Sequence, residues 1–329
     1  MPETLDLITE KDFEKYLLLK EEALPEKFQG QQIQSITDIS GNVNRVKRVV
    51  FSDNTNNNTS LIIKHVPAGG ALARYPSIIF SETRLEYEVR WFREAEQILF
   101  DIDLKVPEIY LYDKSNRLLI MEDAGMNTLS AHINANSISE LSNFICALAQ
   151  GLKATHQHSR QSKPVRNPAA EENRPYIFRV HLERPELIES IWKEKCEKSP
   201  DETEFLKQKI FERNKYLDLH GSTLIPLVKE LEKSFTDHPS PVFCHGDLHT
   251  ASLILSKYEK LCIIDCELSD YGDPAFDLGF FLAHLIAEAT IAGLDRLKIT
   301  ELIESFFLEY QNFNSPQSPY EVSVILQNV

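Results

Sequence analysis

The spacing of hydrophobic and polar positions changes along this chain, and each change predicts a new kind of element. Thr9-Glu10-Lys11-Asp12 has the form of a capping box, which opens a helix running to about Glu22, where Pro25 closes it. Short β-branched runs then predict strands over 32–36, 46–51 and 61–66, with the polar stretch 53–59 as a hairpin loop. Residues 81–100 return to helical spacing, with Leu85, Val89, Phe92 and Ile98 placed for one buried face. Two further strands are predicted over 108–112 and 117–122. After Gly125 the pattern is mostly helical: 138–156 carries Leu141, Phe144, Ile145, Leu148 and Leu152 at helix period. Residues 159–175 are polar and broken by prolines, which predicts a loop. Charged helices follow over 185–198 and 201–233, then two short apolar strands around a polar turn within 242–264. Helices resume from Phe276 through His284 and over 300–310. The expected fold is α+β and bilobal: residues 1–122 form a small antiparallel sheet with one long helix, and residues 123–329 form a larger, mostly helical lobe.

Composition narrows the classes of function. At 329 residues, with domains of ~150 residues, the chain makes roughly two domains or one bilobal unit. It is 42% hydrophobic, enough to build a core, so wholesale disorder is excluded. Its formal charge of −15 argues against a nucleic-acid backbone or an anionic membrane as the main partner. No apolar run reaches the ~18 residues of a membrane helix, and the opening residues lack a signal-peptide pattern. Five cysteines without a Cys-x-x-Cys pair predict reduced thiols and a cytoplasmic protein.

Reactive side chains are densest between His245 and Asp277. The segment reads His245-Gly246-Asp247-Leu248-His249-Thr250-Ala251-Ser252, then Asp265-Cys266-Glu267, then Asp273-Pro274-Ala275-Phe276-Asp277. Apolar strands on both sides are expected to hold these groups at the mouth of a β-hairpin. An acid fixed there can take a proton from a substrate hydroxyl, and two acids one strand away can hold Mg²⁺ through hard oxygen ligands. The four-residue gap between Asp247 and Ser252 matches the spacing of the catalytic Asp and metal-binding Asn in phosphoryl-transfer loops, and Asp265-Cys266-Glu267 stands where a metal-binding Asp motif follows.

On these residues the sequence resembles the aminoglycoside phosphotransferase and choline kinase superfamily, whose hallmark is His-Gly-Asp-x-His-x-x-Asn and whose fold is protein-kinase-like. Within it, His-Gly-Asp-Leu-His-Thr-Ala-Ser and Asp-Cys-Glu look most like methylthioribose kinases, as do the opening Leu7–Leu17 segment and Gly41-Asn42-Val43-Asn44. The form of 271–277 departs from that family toward the general superfamily pattern. The resemblance implies ATP and Mg²⁺ as cofactors and a small-molecule hydroxyl as acceptor, and it admits a homodimer. Asp247 would be the catalytic base, Ser252, Asp265 and Glu267 the metal ligands, and His245 and Asp277 the structural support of the catalytic loop.

In the first lobe, Leu61-Ile62-Ile63-Lys64 matches the strand whose lysine contacts the nucleotide phosphates. Its helix partner is expected to be Glu88, with Glu86 as competitor. Ser40, Gly41 and Asn42 would cover the phosphates, and Met121, Glu122 and Asp123 would meet the adenine edge. His156 and His158 are read as helix-end residues without a function. Tyr176, Phe178 and Arg179 lie where substrate-gating segments fall in the superfamily. Two other readings compete: a metallohydrolase using His245, Asp247 and His249, and a non-catalytic nucleotide-binding scaffold.

Overall fold

The computed structural model describes residue 7 and residues 9–39, 43–52, 58–71, 79–133, 138–160, 163–183, 203–256 and 260–312. It opens with α1 (Glu10–Leu19), and the capping box is present: the Thr9 side chain accepts from the Asp12 N–H, and the Asp12 carboxylate accepts from the Thr9 N–H. The helix stops at Leu19, three residues earlier than the sequence suggests, and the chain continues through short 3₁₀ turns at Glu21–Ala23 and Glu26–Phe28.

Strands β1 (Gln32–Ile39), β2 (Arg45–Ser52), β3 (Asn58–His65), β5 (Ile109–Asp113) and β6 (Leu118–Glu122) form an antiparallel sheet in the order β1-β2-β3-β6-β5. Of the expected hairpin loop, 53–57 lies outside the described residues, whereas Asn58 and Thr59 already pair with Ser52 and Phe51. Both faces of the sheet are covered, and strand alternation sorts the side chains between them. Leu61, Ile63, Leu118 and Ile120 pack under α1 with Phe13, Tyr16 and Leu17. Ile62, Leu119 and Met121 face the other way, against Leu85, Val89 and Phe92 of α2 (Arg84–Leu99). Lys64 shares the parity of Ile62, so this alternation aims a lysine at the long helix.

The short β4 (Leu104–Lys105) leads from α2 into β5, and α3 (Leu129–Ile133) and α4 (Ile138–Ser159) follow β6. Residues 168–175, expected as loop, are instead the first half of α5 (Pro168–Glu183). Asn167 caps it, accepting the Ala169 N–H at 2.9 Å, and Pro168 takes the first helical position, where a missing N–H costs nothing. Pro175 sits inside the helix. The helix expected over 185–198 lies outside the described residues, and that over 201–233 is α6 (Thr203–Thr236).

The segment 242–264 is not one hairpin. β7 (Val242–Cys244) pairs with β10 (Asp270–Gly272), whereas β8 (Leu253–Leu255) pairs with β9 (Leu261–Ile263), which also takes β4 alongside it. The polar loop 245–252 therefore runs from one small sheet to another. α7 (Ala275–Ile291) and α8 (Arg296–Asn312) complete the chain. No helix among the described residues is long and apolar enough to cross a membrane, and Cys146, Cys244, Cys262 and Cys266 are free thiols.

Candidate active site

The loop 245–252 is held from below. Asp277, fully buried at the start of α7, accepts the backbone N–H groups of His245 at 2.6 Å and Gly246 at 3.1 Å. Burial alone would raise its pKa; the His156 and His245 rings and these N–H donors more than reverse that and keep it ionised. His156 is therefore not an idle helix-end residue. It lies within α4, 1% exposed, with Nε2 3.4 Å from Asp277 and Nδ1 2.9 Å from the Tyr310 hydroxyl.

His245 is buried with both ring nitrogens engaged. Nδ1 accepts the Asp247 N–H at 3.2 Å, which leaves Nε2 to carry the proton donated to the Ile264 carbonyl at 3.0 Å. Burial lowers its pKa, in keeping with that neutral tautomer. Gly246 adopts φ +85°, and a Cβ there would stand 2.1 Å from the Leu268 carbonyl oxygen. That fixes glycine at this position for a local reason: the backbone of 268–269 passes too close for any side chain. Gly246→Ala is expected to cost ~3 kcal/mol of stability through left-handed strain and overpacking. Thermal denaturation checks this, and an unchanged melting temperature would refute it.

Lys64 gathers the acids. Its Nζ is 2.8 Å from Glu88 Oε2 on α2, donates to Asp265 Oδ1, and lies 3.6 Å from Glu267 Oε2. Glu86, the competing partner, pairs instead with Lys114 at 2.8 Å. Burial would lower the Lys64 pKa, but Asp265, Glu267 and Glu88 together hold it well above the ordinary lysine range. Asp265 holds φ +67°, one of two non-glycine residues among those described in the left-handed region. Such strain persists only where the surroundings enforce it, and here the Lys64 ammonium outweighs desolvation to keep Asp265 ionised.

Sequence reasoning missed two residues around Glu267. Arg84, with no exposed surface, and Asn44 both reach its Oε2, Asn44 Nδ2 donating at 2.7 Å and Arg84 Nε lying 3.4 Å away. Asn167 fastens the strand that follows, donating through Nδ2 to the Glu267 and Ser269 carbonyls at 2.9 Å each. Arg84 at a helix start carries no motif, and Asn44 only ends the Gly41-Asn42-Val43-Asn44 segment, so the folded contacts alone reveal that both turn to Glu267.

Asp247 is the acid that no cation neutralises. Burial raises its pKa, Asp265 and Glu267 add repulsion, and the result is about 7 despite Lys64. Four carboxyl groups (Glu88, Asp247, Asp265, Glu267) thus share the site with two cations (Lys64, Arg84); burial pushes Glu88 as well as Asp247 up to about 7, so above that pH the carboxylates exceed the cations by two negative charges. A hard divalent cation such as Mg²⁺ fits that donor set and that excess. Ser252 is buried, its Oγ donating to the Asp247 carbonyl at 3.2 Å.

The other expected residues fall as follows. Ser40, Gly41 and Asn42 lie outside the described residues. Glu122 has its carboxylate on Lys105 Nζ at 2.6 and 2.8 Å and its N–H on the Glu108 carbonyl, so neither group is directed to a nucleotide. Asp123 holds Arg48 at 2.6 Å and caps the Gly125 N–H, and Met121 packs into the core beneath it. The Phe178 ring packs on Phe276 and Phe235, and Arg179 pairs with Glu183 and Glu232. His245, Asp247 and His249 do not converge on a point. His245 has spent both nitrogens, and His249 Nδ1 accepts the Ala251 N–H at 3.2 Å. The metallohydrolase reading loses its ligand set on that geometry. Among the described residues one trio of potential metal ligands is close enough together, His156, Cys244 and Asp277, and there Asp277 already serves the loop.

A sequence profile described as "Phosphotransferase enzyme family" matches residues 40–306, which includes Lys64, Glu88, Asp247, Asp265, Glu267 and Asp277. The chain belongs to that phosphotransferase family. Among curated proteins, a 68-residue stretch is 41% identical to methylthioribose kinase of Exiguobacterium sibiricum, covering 20% of this chain and 17% of that enzyme. A 59-residue stretch is 37% identical to methylthioribose kinase 2 of Oryza sativa subsp. japonica, covering 18% and 13%. The matched stretches thus span less than a fifth of those relatives' length. Among solved structures, an ethanolamine kinase of Plasmodium vivax is 16% identical over 97% of this chain and 77% of that one, with a TM-score of 0.49. A choline kinase of Streptococcus pneumoniae is 16% identical over 94% and 84%, with a TM-score of 0.47.

In this phosphotransferase-family chain the cluster around Lys64 lies within the matched range. A base candidate sits on a braced loop, two acids follow β8 and β9, and a lysine on the first sheet links those acids to α2.

Proposed function

We propose that this protein is an ATP-dependent kinase of a small molecule, transferring the γ-phosphoryl group to a substrate hydroxyl. Methylthioribose or a related sugar is the first acceptor to test, on the strength of the local identity to methylthioribose kinases. The observation that carries the reading is the bridge made by Lys64, which joins Glu88 of α2 to Asp265 and Glu267 beside the Asp247 loop. Phosphoryl transfer needs little covalent chemistry from the protein; it needs positioning and charge compensation in a pre-built site. The features described above supply both.

Asp247 aligns the acceptor hydroxyl and takes its proton as the new bond to phosphorus forms. Lys64, held by Glu88, compensates negative charge on the nucleotide phosphates. Asp265 and Glu267, with Ser252 alongside, would hold Mg²⁺, which when bound neutralises charge on the β- and γ-phosphate oxygens. The domain division at 122/123 assigns Lys64 and Glu88 to a nucleotide lobe and Asp247, Asp265 and Glu267 to a catalytic lobe, with the acceptor between them.

The test is ADP release from ATP by the purified protein, with methylthioribose, other pentoses, choline, homoserine and aminoglycosides as acceptors. Release is expected with at least one acceptor. Chelation of divalent cations should lower it to background and added Mg²⁺ restore it, since the excess of carboxylates over cations would otherwise repel the nucleotide. Full activity in excess chelator would remove Asp265 and Glu267 from their role, and failure to bind ATP would remove the kinase reading altogether.

A further inference from the structure

Two side-chain groups of the 245–252 loop meet no hydrogen-bond partner among the described residues, and the other polar side chains of the loop are all engaged. His245 has both ring nitrogens occupied, Thr250 Oγ1 donates to Glu288 Oε2 of α7 at 2.6 Å, and Ser252 Oγ is turned inward onto the Asp247 carbonyl. What remains is the Asp247 carboxylate and Nε2 of His249, both in half-buried side chains. Leu248 between them is fully buried in the core, and His249 has an extended backbone (φ −130°, ψ 171°). Alternation therefore puts Asp247 and His249 on the same outward side. The loop that presents them is fastened at one end by Asp277 and at the other by Glu288.

The state of the His249 ring follows from its contacts. Nδ1 accepts the Ala251 N–H at 3.2 Å, capping the 3₁₀ turn Thr250–Ser252, so in the neutral ring the proton belongs to Nε2. Burial outweighs the attraction of Asp265 and pushes the ring pKa down to about 4, so the ring is neutral wherever Asp247 is ionised. The ring is also held in place. Phe276, Phe280 and His284 lie four positions apart on one face of α7. Their rings follow one another at 5.6 and 5.0 Å, and the row ends with His284 5.3 Å from His249.

The ionised Asp247 only accepts, and His249 Nε2 only donates. A lone hydroxyl satisfies the first and leaves the second bare, whereas a hydroxyl with a second oxygen beside it satisfies both. We propose that His249 is an acceptor-binding residue whose Nε2–H donates to an oxygen next to the hydroxyl that Asp247 deprotonates, which makes the acceptors sugars or other polyols rather than mono-alcohols. This deepens the kinase reading and rests on it, because it takes Asp247 as the group that meets the reacting hydroxyl. His249 keeps its proton throughout. The proton that moves is the hydroxyl's, to Asp247, as that oxygen bonds to the γ-phosphorus and the phosphorus–oxygen bond to ADP breaks. An acceptor without the second oxygen covers the N–H and leaves it unpaired, which is how a polar site rejects such analogues.

The test is steady-state ADP release by the intact protein, with pentoses, aminoglycosides, choline and homoserine as acceptors, for the wild type, His249→Asn and His249→Gln. Asparagine keeps an acceptor where Nδ1 stands, and with it the cap on Ala251, but has nothing at the place of Nε2. Glutamine does the reverse, reaching the Nε2 position with an N–H and losing the short cap. Wild type is expected to turn over a pentose or an aminoglycoside and to stay near background with choline and homoserine. For the best sugar, kcat/KM should fall ~10-fold or more in His249→Asn, and His249→Gln should recover most of that loss, with the KM for ATP within ~3-fold in both. The deoxy analogue lacking the oxygen beside the phosphorylated one should cost the wild type a similar factor and cost His249→Asn little more, because both changes remove the same hydrogen bond.

A role confined to the cap predicts the opposite order, His249→Asn near wild type and His249→Gln impaired, and that result would overturn the inference. So would wild-type turnover of choline or homoserine at the rate of the sugars, or additive losses for His249→Asn and the deoxy analogue; in each case the kinase reading stands. If neither variant folds, the wild-type preference between sugars and mono-alcohols decides. No ADP release with any acceptor would overturn the kinase reading and this inference together.

Discussion

Replacing Asp247 by Asn is expected to lower kcat about a thousandfold, the usual span for loss of a positioned base, while ADP binding changes less than ~3-fold. The expectation follows from where Asp247 sits. Its backbone N–H is tied to the His245 ring and its carbonyl accepts from Ser252, so the loop geometry does not depend on the carboxylate itself. Asparagine preserves the shape and removes the basicity. The same carboxyl sets a pH dependence. Its pKa is raised to about 7, so below that value the free protein carries it protonated and unable to accept the hydroxyl proton. The ratio kcat/KM should therefore fall ~10-fold per unit as pH drops below 7 and level off above it. Steady-state rates between pH 5.5 and 8.5 check the limb, and a profile flat across that range would exclude Asp247 as the titrating base. An Asp247→Asn variant with near-normal turnover would exclude it as the base at all.

Lys64→Met should be the most destructive single change to the site, in stability as well as in activity. Lys64 is 4% exposed and Glu88 is fully buried and already pushed up to about 7, so removing the ammonium leaves a carboxyl that must stay charged unpaired or take up a proton, with Asp265 and Glu267 nearby to add repulsion. Breaking a buried pair from one side costs about 3–5 kcal/mol. The second substitution separates the two effects. Lys64→Met with Glu88→Leu removes both charges and should recover much of the lost stability, since replacing both partners with apolar groups is often close to neutral. Activity should stay at background in both variants. Denaturant unfolding and the ADP-release assay read the two quantities separately. A double variant no more stable than Lys64→Met would show that the pair is not the source of the loss.

How much of this was legible in the sequence depended on how local each signal was. The five strands of the first sheet and the helices α2 and α4 were readable because a period of two or of 3.6 residues is written into consecutive positions. The His-Gly-Asp loop and Asp265-Cys266-Glu267 were readable because their spacing is short and chemically constrained. Glu88 was the expected partner with Glu86 as competitor, and that is the pairing in the fold: Glu88 turns toward Lys64 and Glu86 toward Lys114. The pairing of β7 with β10 in place of β8 was not legible at all: three-residue strands carry no register, and partners are fixed by packing. The first half of α5 was hidden by its prolines, though Asn167-Pro168 is a sound helix start. His156 looked like the end of a helix that in fact continues to Ser159, and its buried contact with Asp277 spans 121 positions. Arg84 and Asn44 were missed for the same reason, since what marks them is their convergence on Glu267, 223 positions beyond Asn44.

The loop that carries Asp247 leaves one small sheet and enters another, and β4 of the first half lies beside β9. Protein synthesis proceeds from the amino terminus, so Lys64 and Glu88 leave the ribosome together, whereas Asp265 follows Lys64 by 201 positions. A nascent chain that has reached only α6 already owns the lysine–glutamate pair, in which the two charges offset each other. It owns none of the acids that would make the site strongly anionic. The repulsive part of the constellation is thus added last, onto a scaffold whose compensating ammonium is already in place.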